Sequence, residues 1–233
     1  MRLTKLRLAC LSLVFPLLAV LGLPDRAAAQ TRVANPYVGV RGYVNPDWAA
    51  KANAEPGGSR ISNQPTGIWM DQIAAITGAN GAMGMRAHLD NALATGAGYI
   101  QFVIYDLPGR DCAALSSNGE LGPTEIGRYR TEYIDPIAAI QTDTKYNNIR
   151  IINIIEIDSL PNLVTNAGSQ AGATSACATM LANGNYVAGI QYALSMLGNK
   201  ANIYNYVDAG HHGWLGWDTN FGPAATLFAN TIK

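Results

Sequence analysis

The chain has 233 residues, of which 48% are hydrophobic and 14% are charged, and its formal net charge is zero. This length allows one large domain or two small ones, and the low charge excludes an intrinsically disordered chain. The sequence has no cluster of Lys or Arg after residue 29, so nucleic-acid binding is not expected.

The first 29 residues have the pattern of an export signal. Arg2, Lys5 and Arg7 precede the apolar stretch LACLSLVFPLLAVLGL, and small residues follow up to Ala29. This pattern predicts a secretory signal peptide over 1–29 and a mature chain over 30–233. An uncleaved membrane anchor is the main alternative, and a lipid attached to Cys10 is a weaker one. We therefore expect a secreted protein with no stable membrane association after cleavage.

After the signal, helical and strand patterns alternate. Residues 35–40 form a short apolar run that we count as the first strand, and Asn45 and Pro46 open a helix. Glycines, prolines and polar residues predict a loop over 54–67. The remaining predictions are helices at 67–78, 82–96, 122–143, 183–198 and 219–233, and strands at 99–105, 148–157 and 201–207.

Strands that are apolar throughout and alternate with helices predict an α/β fold with a parallel sheet covered on both faces. A doubly wound sheet and a barrel both fit this pattern. In both folds, functional sites gather at the carboxyl ends of the strands.

Polar and aromatic residues follow three successive predicted strands. They are Tyr105, Arg110 and Asp111, then Glu156 and Asp158, then Asp208, His211, Trp214 and Trp217. Neighbouring carboxylates raise one another's pKa, so that one of them can act as an acid. Indole rings can stack on sugar rings, although packing in the core is the alternative for the tryptophans. Carboxylates beside aromatic rings on a secreted chain indicate glycoside hydrolysis.

Cysteine usage agrees with export, because Cys112 and Cys177 remain after the signal is removed. We predict one disulfide between them, with two free buried thiols as the alternative. Two distant cysteines do not make a metal site, and the adjacent His211 and His212 diverge on most backbones. No metal or other cofactor is therefore expected.

Three motifs resemble those of glycoside hydrolase family 6, the inverting cellulases that include cellobiohydrolases and endoglucanases. They are VIYDLPGRDCAALSSNG, IIEIDSLPNLVTN and YVDAGHHGWLGWDTNFGPAATLFA, and the likeness runs from about Asn35 to the end. The resemblance implies a distorted parallel β/α barrel with a cleft or tunnel at its carboxyl rim. It also implies hydrolysis of β-1,4-glucosidic bonds in cellulose or related β-glucans with inversion. The partner would be a β-1,4-glucan polysaccharide or a cello-oligosaccharide, bound by a monomer.

The resemblance further implies a role for each matching residue. Asp158 matches the general acid, and Asp111 matches the aspartate that raises its pKa and relays a proton. Tyr105 would lie beside the distorted sugar, Ser117 would hold the catalytic water and Arg110 would pair with the acidic centre. The residues implied to bind substrate are Trp69, Asp71, Asp208, His211, Trp214 and Trp217. Cys112 and Cys177 match a disulfide that ties down the loop after the first motif.

The chain departs from the family pattern in places. Ile157 replaces a proline beside the acid, and His212 replaces a small residue. Family members continue beyond the position of Lys233, so we expect residues 30–233 to be the N-terminal portion of the catalytic domain, incomplete at its C-terminal end. The missing part would hold the catalytic base. A non-catalytic glucan-binding remnant is therefore the alternative function. An unrelated secreted α/β domain is a third hypothesis, in which the carboxylates of Asp111, Asp158 and Asp208 would not converge.

Overall fold

The computed structural model describes residues 31–233, so the predicted signal peptide at 1–29 lies outside the described residues. Between residues 31 and 233, no helix is long and apolar enough to cross a membrane. The strands are β1 (Ile68–Met70), β2 (Tyr99–Ile104), β3 (Arg150–Ile155) and β4 (Ile203–Val207). The α-helices are α1 (Pro46–Ala54), α2 (Met85–Ala94), α3 (Ile126–Arg128), α4 (Asp135–Gln141), α5 (Ser159–Thr165), α6 (Ser175–Asn183), α7 (Asn185–Leu197), α8 (His212–Leu215) and α9 (Asp218–Thr231). Single 3-10 turns occur at Gly58–Arg60, Ile73–Ile76, Leu115–Ser117 and Thr144–Tyr146.

The four strands form a parallel sheet in the order β1-β2-β3-β4, which is also their order along the chain. A doubly wound sheet reverses its strand order at a switch point, and this sheet does not. Right-handed crossovers between sequential parallel strands place their helices on the same face. The α/β prediction is confirmed, and the winding is that of a barrel wall.

The predicted helices and strands agree with the structure in most places. The side-chain oxygen of Asn45 accepts hydrogen bonds from the amides of Asp47 and Trp48, which caps α1 as predicted. The predicted helix at 122–143 is present as α3 and α4, joined by a π-helical segment (Tyr129–Ile134). Tyr129 and Tyr133 in this segment are fully buried and face the sheet.

Three local predictions were wrong. The stretch 67–78 contains strand β1 and a 3-10 turn instead of a helix, because Ile68–Met70 pairs with β2. Residues 35–40 form turns instead of the predicted first strand. The carbonyl oxygens of Pro36 and Val38 accept hydrogen bonds from the guanidinium of Arg150, whereas in a strand they would accept from the backbone of a neighbouring strand. Helices α5 and α6 were not predicted: α5 has only seven residues and lies within the second motif, and α6 lies in the stretch between that motif and the helix predicted at 183–198.

The sheet is not covered by helices on both faces, contrary to the prediction. Ile100, Phe102 and Ile104 of β2 pack with the helices in the main core cluster. On the opposite face, the side chains of Trp69 and Tyr206 are 51% and 42% exposed. In a parallel sheet of sequential strands, the face away from the helices is the inner wall.

Candidate active site

Every strand of the sheet carries polar residues at its carboxyl end. Asp71 follows β1, Tyr105 and Asp111 follow β2, Asp158 follows β3 and Asp208 follows β4. Because the strands are parallel, these residues lie along one rim. The structure therefore brings together the three aspartates that the sequence places 47 and 50 positions apart, and the charges of Asp111 and Asp208 both act on Asp158.

Asp111 is held by two side chains. The Tyr105 hydroxyl donates a 2.9 Å hydrogen bond to Oδ2, and the Asn162 amide donates a 3.0 Å hydrogen bond to Oδ1. Burial raises the pKa of Asp111, while these hydrogen bonds and the charge of Arg110 oppose that rise. Burial and the Asp111 charge together raise the pKa of Tyr105 to about 12, so this hydroxyl remains a donor.

Arg110 links several parts of the rim. Its guanidinium lies over the Tyr105 ring, 4.0 Å from the centroid, in a cation–π contact. It donates hydrogen bonds to the carbonyl oxygens of Asp71 (2.6 Å) and Ser117 (3.3 Å). Its Nε lies 3.5 Å from Oδ1 of Asp106. The contact that ties Ser117 to the site is thus made by its backbone, and the predicted water-holding role of its hydroxyl stays a prediction.

Asp158 has a left-handed backbone conformation, with φ of 61°. This conformation is uncommon for residues other than glycine. The Asp158 amide donates a 3.0 Å hydrogen bond to Oδ2 of Asp208, and the same oxygen accepts from the amide of Gly210. Burial raises the pKa of Asp158, and the charges of Asp111 and Asp208 raise it further, while His211 opposes them.

A pair of acids beneath the rim had not been assigned a role from the sequence. Asp106 and Glu156 are both buried, and Glu156 has φ of 50°. The Glu156 carboxylate accepts hydrogen bonds from the amides of Asp106 and Leu107 and from the Tyr129 hydroxyl, at 2.8–3.3 Å. Glu156 thereby joins the end of β3 to the two residues that follow Tyr105 at the end of β2. In the sequence, the only indication of a role for Asp106 and Glu156 was that they lie within two positions of Tyr105 and Asp158.

Burial, followed by the charge of Glu156, raises the pKa of Asp106 to about 8. Burial raises the pKa of Glu156 to about 7, although its hydrogen bonds oppose that shift. Among the described residues, neither oxygen of Asp106 accepts a hydrogen bond, and the ion pair with Arg110 at 3.5 Å only partly opposes the rise of its pKa. A buried carboxyl without donors is costly to ionise.

Two of the predicted substrate-binding residues lie at the β1 end of the rim. Trp69 is half-exposed, and its ring meets the Tyr105 ring edge-on with 5.7 Å between centroids. Trp69 and Asp71 line a cavity of about 480 Å³, together with Trp48 and Lys51 of α1. An exposed indole beside polar groups is suited to a sugar ring, because it offers an apolar face flanked by hydrogen-bonding groups.

The other predicted substrate-binding residues follow β4. Trp217 is 64% exposed, so core packing does not account for it. Trp214 is half-buried, and its indole N–H donates a 2.7 Å hydrogen bond to the Thr165 hydroxyl. His211 is exposed, with its ring centroid 6.1 Å from that of Trp214. The structure therefore divides the aromatic residues between the two ends of the rim.

The predicted disulfide is confirmed. Cys112 and Cys177 are bonded, with their Cα atoms 4.8 Å apart. The Tyr186 hydroxyl donates to the carbonyl oxygen of Gly109 and accepts from the amide of Cys112. These contacts fix the loop that carries Arg110 and Asp111 against α6 and α7. Within residues 31–233, no group of three His, Cys, Asp or Glu side chains could hold a metal ion.

Comparisons with known proteins agree with these motifs. The sequence model of glycosyl hydrolases family 6 matches residues 28–233. Exoglucanase A of Cellulomonas fimi is 48% identical over 225 residues, which is 89% of this chain and 25% of that protein. Exoglucanase 2 of Hypocrea jecorina is 37% identical over 223 residues, covering 90% of this chain and 44% of that protein.

Solved structures give the same relationship. The catalytic domain of Cellulomonas fimi Cel6B superposes with a TM-score of 0.79 at 48% identity, over 88% of this chain and 49% of that one. The CcCel6A catalytic domain, complexed with p-nitrophenyl beta-D-cellotrioside, superposes with a TM-score of 0.72 at 35% identity, over 84% and 55%. This chain thus spans about half the length of these solved structures. Because the family sequence model matches nearly all of the chain after the predicted signal peptide, the chain belongs to glycosyl hydrolases family 6.

Proposed function

We propose that this chain carries the acid side of an active site that hydrolyses β-1,4-glucosidic bonds in cellulose or related β-glucans with inversion at the anomeric carbon. The observation that carries the proposal is the position of Asp158. Its carboxyl lies between the charges of Asp111 and Asp208, which raise its pKa in addition to the effect of burial. A carboxyl whose pKa is raised keeps its proton to higher pH, as a general acid requires.

In this reaction, Asp158 would give its proton to the glycosidic oxygen as the bond between that oxygen and the anomeric carbon breaks. The bonding electron pair stays with the leaving oxygen. A water attacks the anomeric carbon from the opposite face as that bond breaks, which inverts its configuration, and the water gives up a proton to a second carboxylate that acts as general base. Asp111 and Asp208 act as electrostatic partners of the acid, because both accept hydrogen bonds that hold them beside it.

Substrate would lie along the rim between the exposed tryptophans. Trp69 at the β1 end and Trp217 beyond β4 are both more than half exposed. The bound trioside derivative in the CcCel6A complex is in keeping with a cello-oligosaccharide as ligand. The same exposed rings favour a second candidate function, a glucan-binding protein without turnover. We further propose that residues 30–233 form a secreted monomer that contains the N-terminal portion of the catalytic domain.

Reducing-sugar release from amorphous cellulose tests the proposal. The purified chain is compared with Asp158→Asn and with Asp143→Asn, a partly exposed aspartate that precedes β3 and so lies toward the amino ends of the strands. Because the catalytic base is not among the residues assigned in this chain, we expect only weak release by the wild type. We expect the same release by the control, none by Asp158→Asn, and the α-anomer as the first product in proton NMR spectra. Equal release by all three proteins would overturn the role of Asp158. Binding of cello-oligosaccharides without release in any of them would favour the glucan-binding function.

A further inference from the structure

Helix α5 sends a second side chain into the site, in addition to Asp158 at its start. Asn162 is 3% exposed, and its Nδ2 donates to Oδ1 of Asp111 over 3.0 Å. Since the Tyr105 hydroxyl occupies Oδ2, both oxygens of Asp111 accept a hydrogen bond from a neutral donor. Such donors stabilise the ionised form of a buried carboxyl.

The amide of Asn162 is oriented by its neighbour one helical turn later. Nδ2 of Asn166 donates a 2.6 Å hydrogen bond to Oδ1 of Asn162. If the Asn162 amide were reversed, its oxygen would face the Asp111 carboxylate and its NH2 group would face that of Asn166. Both contacts would then be repulsive, so the Asp111 carboxylate and Asn166 together favour the orientation in which Asn162 donates to Asp111.

We propose that Asn162, oriented by Asn166, is a positioning residue that holds Asp111 as an ionised acceptor beside Asp158. The titratable and charged groups facing Asp111 from the elements around it are Tyr105, Arg110, Asp158, Tyr186 and Asp208. Arg110 supplies a positive charge from the same loop, whereas Asp158 and Asp208 are acids. Asn162 adds stabilisation of the anion without adding charge, so the field of Asp111 on Asp158 is kept.

This inference rests on the proposed function, since it concerns the acid of that reaction. Its test is a titration of the carboxyl carbons of Asp111 and Asp158 by 13C NMR in the full chain and in Asn162→Leu. Leucine has a similar shape and no donor. We expect the pKa of Asp111 to rise, because its anion loses a donor, and the pKa of Asp158 to fall, because the neighbouring charge is present over a narrower pH range. Unchanged values, or shifts in the same direction, would overturn the inference.

Two further variants keep the test decisive. Asn166→Leu leaves Asn162 in place and changes a half-exposed residue, so it tests the orienting step even if Asn162→Leu does not fold. We expect opposed shifts in the same directions. Asn202→Ala removes another buried amide, which donates to the carbonyl oxygens of Tyr146 and Ile149, away from the rim. This control lowers stability and leaves both titrations unchanged.

The titrations need no turnover, so the two hypotheses fail separately. A chain that releases no sugar but shows the opposed shifts would refute the proposed function and leave Asn162 as a positioning residue. If the chain is active but Asp111 and Asp158 titrate identically with and without the Asn162 amide, the proposed function stands and the positioning role of Asn162 is refuted.

Discussion

The backbone amide of Asp158 donates a 3.0 Å hydrogen bond to the carboxylate of Asp208, fifty positions later in the chain. The end of β4 thereby holds the residue that follows β3. Asp208 has two effects on Asp158: its oxygen supports a left-handed backbone, and its charge raises the pKa of the Asp158 carboxyl.

Substitutions at Asp208 separate these two effects. Asp208→Asn keeps an acceptor oxygen and removes the charge, so we expect the pKa of Asp158 to fall in a 13C titration while the melting temperature changes little. Asp208→Ala also removes the acceptor and is expected to lower the free energy of unfolding by about 1–2 kcal/mol in a denaturant titration. If the pKa of Asp158 is the same in wild type and in Asp208→Asn, the charge of Asp208 has no part in tuning the acid.

The buried acids beneath the rim predict a pH-dependent stability. The pKa values of Asp106 and Glu156 are raised to about 8 and about 7 in the folded chain. At any pH between the ordinary pKa values of these groups and the raised ones, the folded chain therefore binds more protons than the unfolded chain. The free energy of unfolding must then fall as pH rises through this range. We expect the melting temperature to decrease from pH 5 to pH 8, by about 2–4 °C for each kcal/mol lost.

Asp106→Asn removes one of the two titrating groups and keeps the shape of the side chain. We expect its melting temperature to depend less on pH and to exceed that of the wild type at pH 8. Asp143→Asn is the control, because hydrogen bonds from the Lys145 amide and from Arg86 lower the pKa of Asp143, so its titration falls below pH 5 and its loss should leave the slope unchanged. A wild-type melting temperature that rises between pH 5 and pH 8 would contradict the assignment of raised pKa values to this pair.

The disulfide predicts a large loss of stability on removal. Cys112 and Cys177 are 65 positions apart, and closing a loop of that length stabilises a protein by about 4 kcal/mol through the unfolded state. We expect the paired Cys112→Ser and Cys177→Ser substitutions to lower the denaturant midpoint, with a similar effect from reducing agent on the wild type. Equal midpoints with and without reductant would show that this bond does not constrain the unfolded chain.

The aromatic residues are predicted to have different roles. Trp69→Ala and Trp217→Ala should each weaken cello-oligosaccharide binding about tenfold, or about 1.4 kcal/mol, as expected when an indole face is covered by a ligand. Trp214→Ala should mainly lower the melting temperature, because its ring packs beside Val164 and Leu215 and its N–H is bonded to Thr165. Calorimetric titration and thermal melts measure the two quantities. Binding that survives the loss of both exposed indoles would exclude the rim as the glucan site.

Local sequence patterns were sufficient where short-range forces decide the structure. The apolar run of β3, the helical spacing that places Tyr129 and Tyr133 on one face, and the Asn45 cap of α1 could all be predicted. Each depends on neighbours within a few positions: side-chain periodicity, capping and turn chemistry. The carboxylates at the strand ends were identified because the apolar pattern of each strand shows where that strand ends.

Contacts between distant segments decided the rest. Strand β1 has only three residues, and its pairing with β2 makes it a strand. Its local sequence pattern predicted a helix, because that pattern contains no information about β2. The left-handed backbone of Asp158 depends on Asp208, and the charge state of Asp111 depends on Asn162, 51 positions away. The sequence by itself determined which residue types reach the rim. The tertiary structure decided which of them share protons and charge, because electrostatic coupling depends on distances and burial that only the folded chain sets.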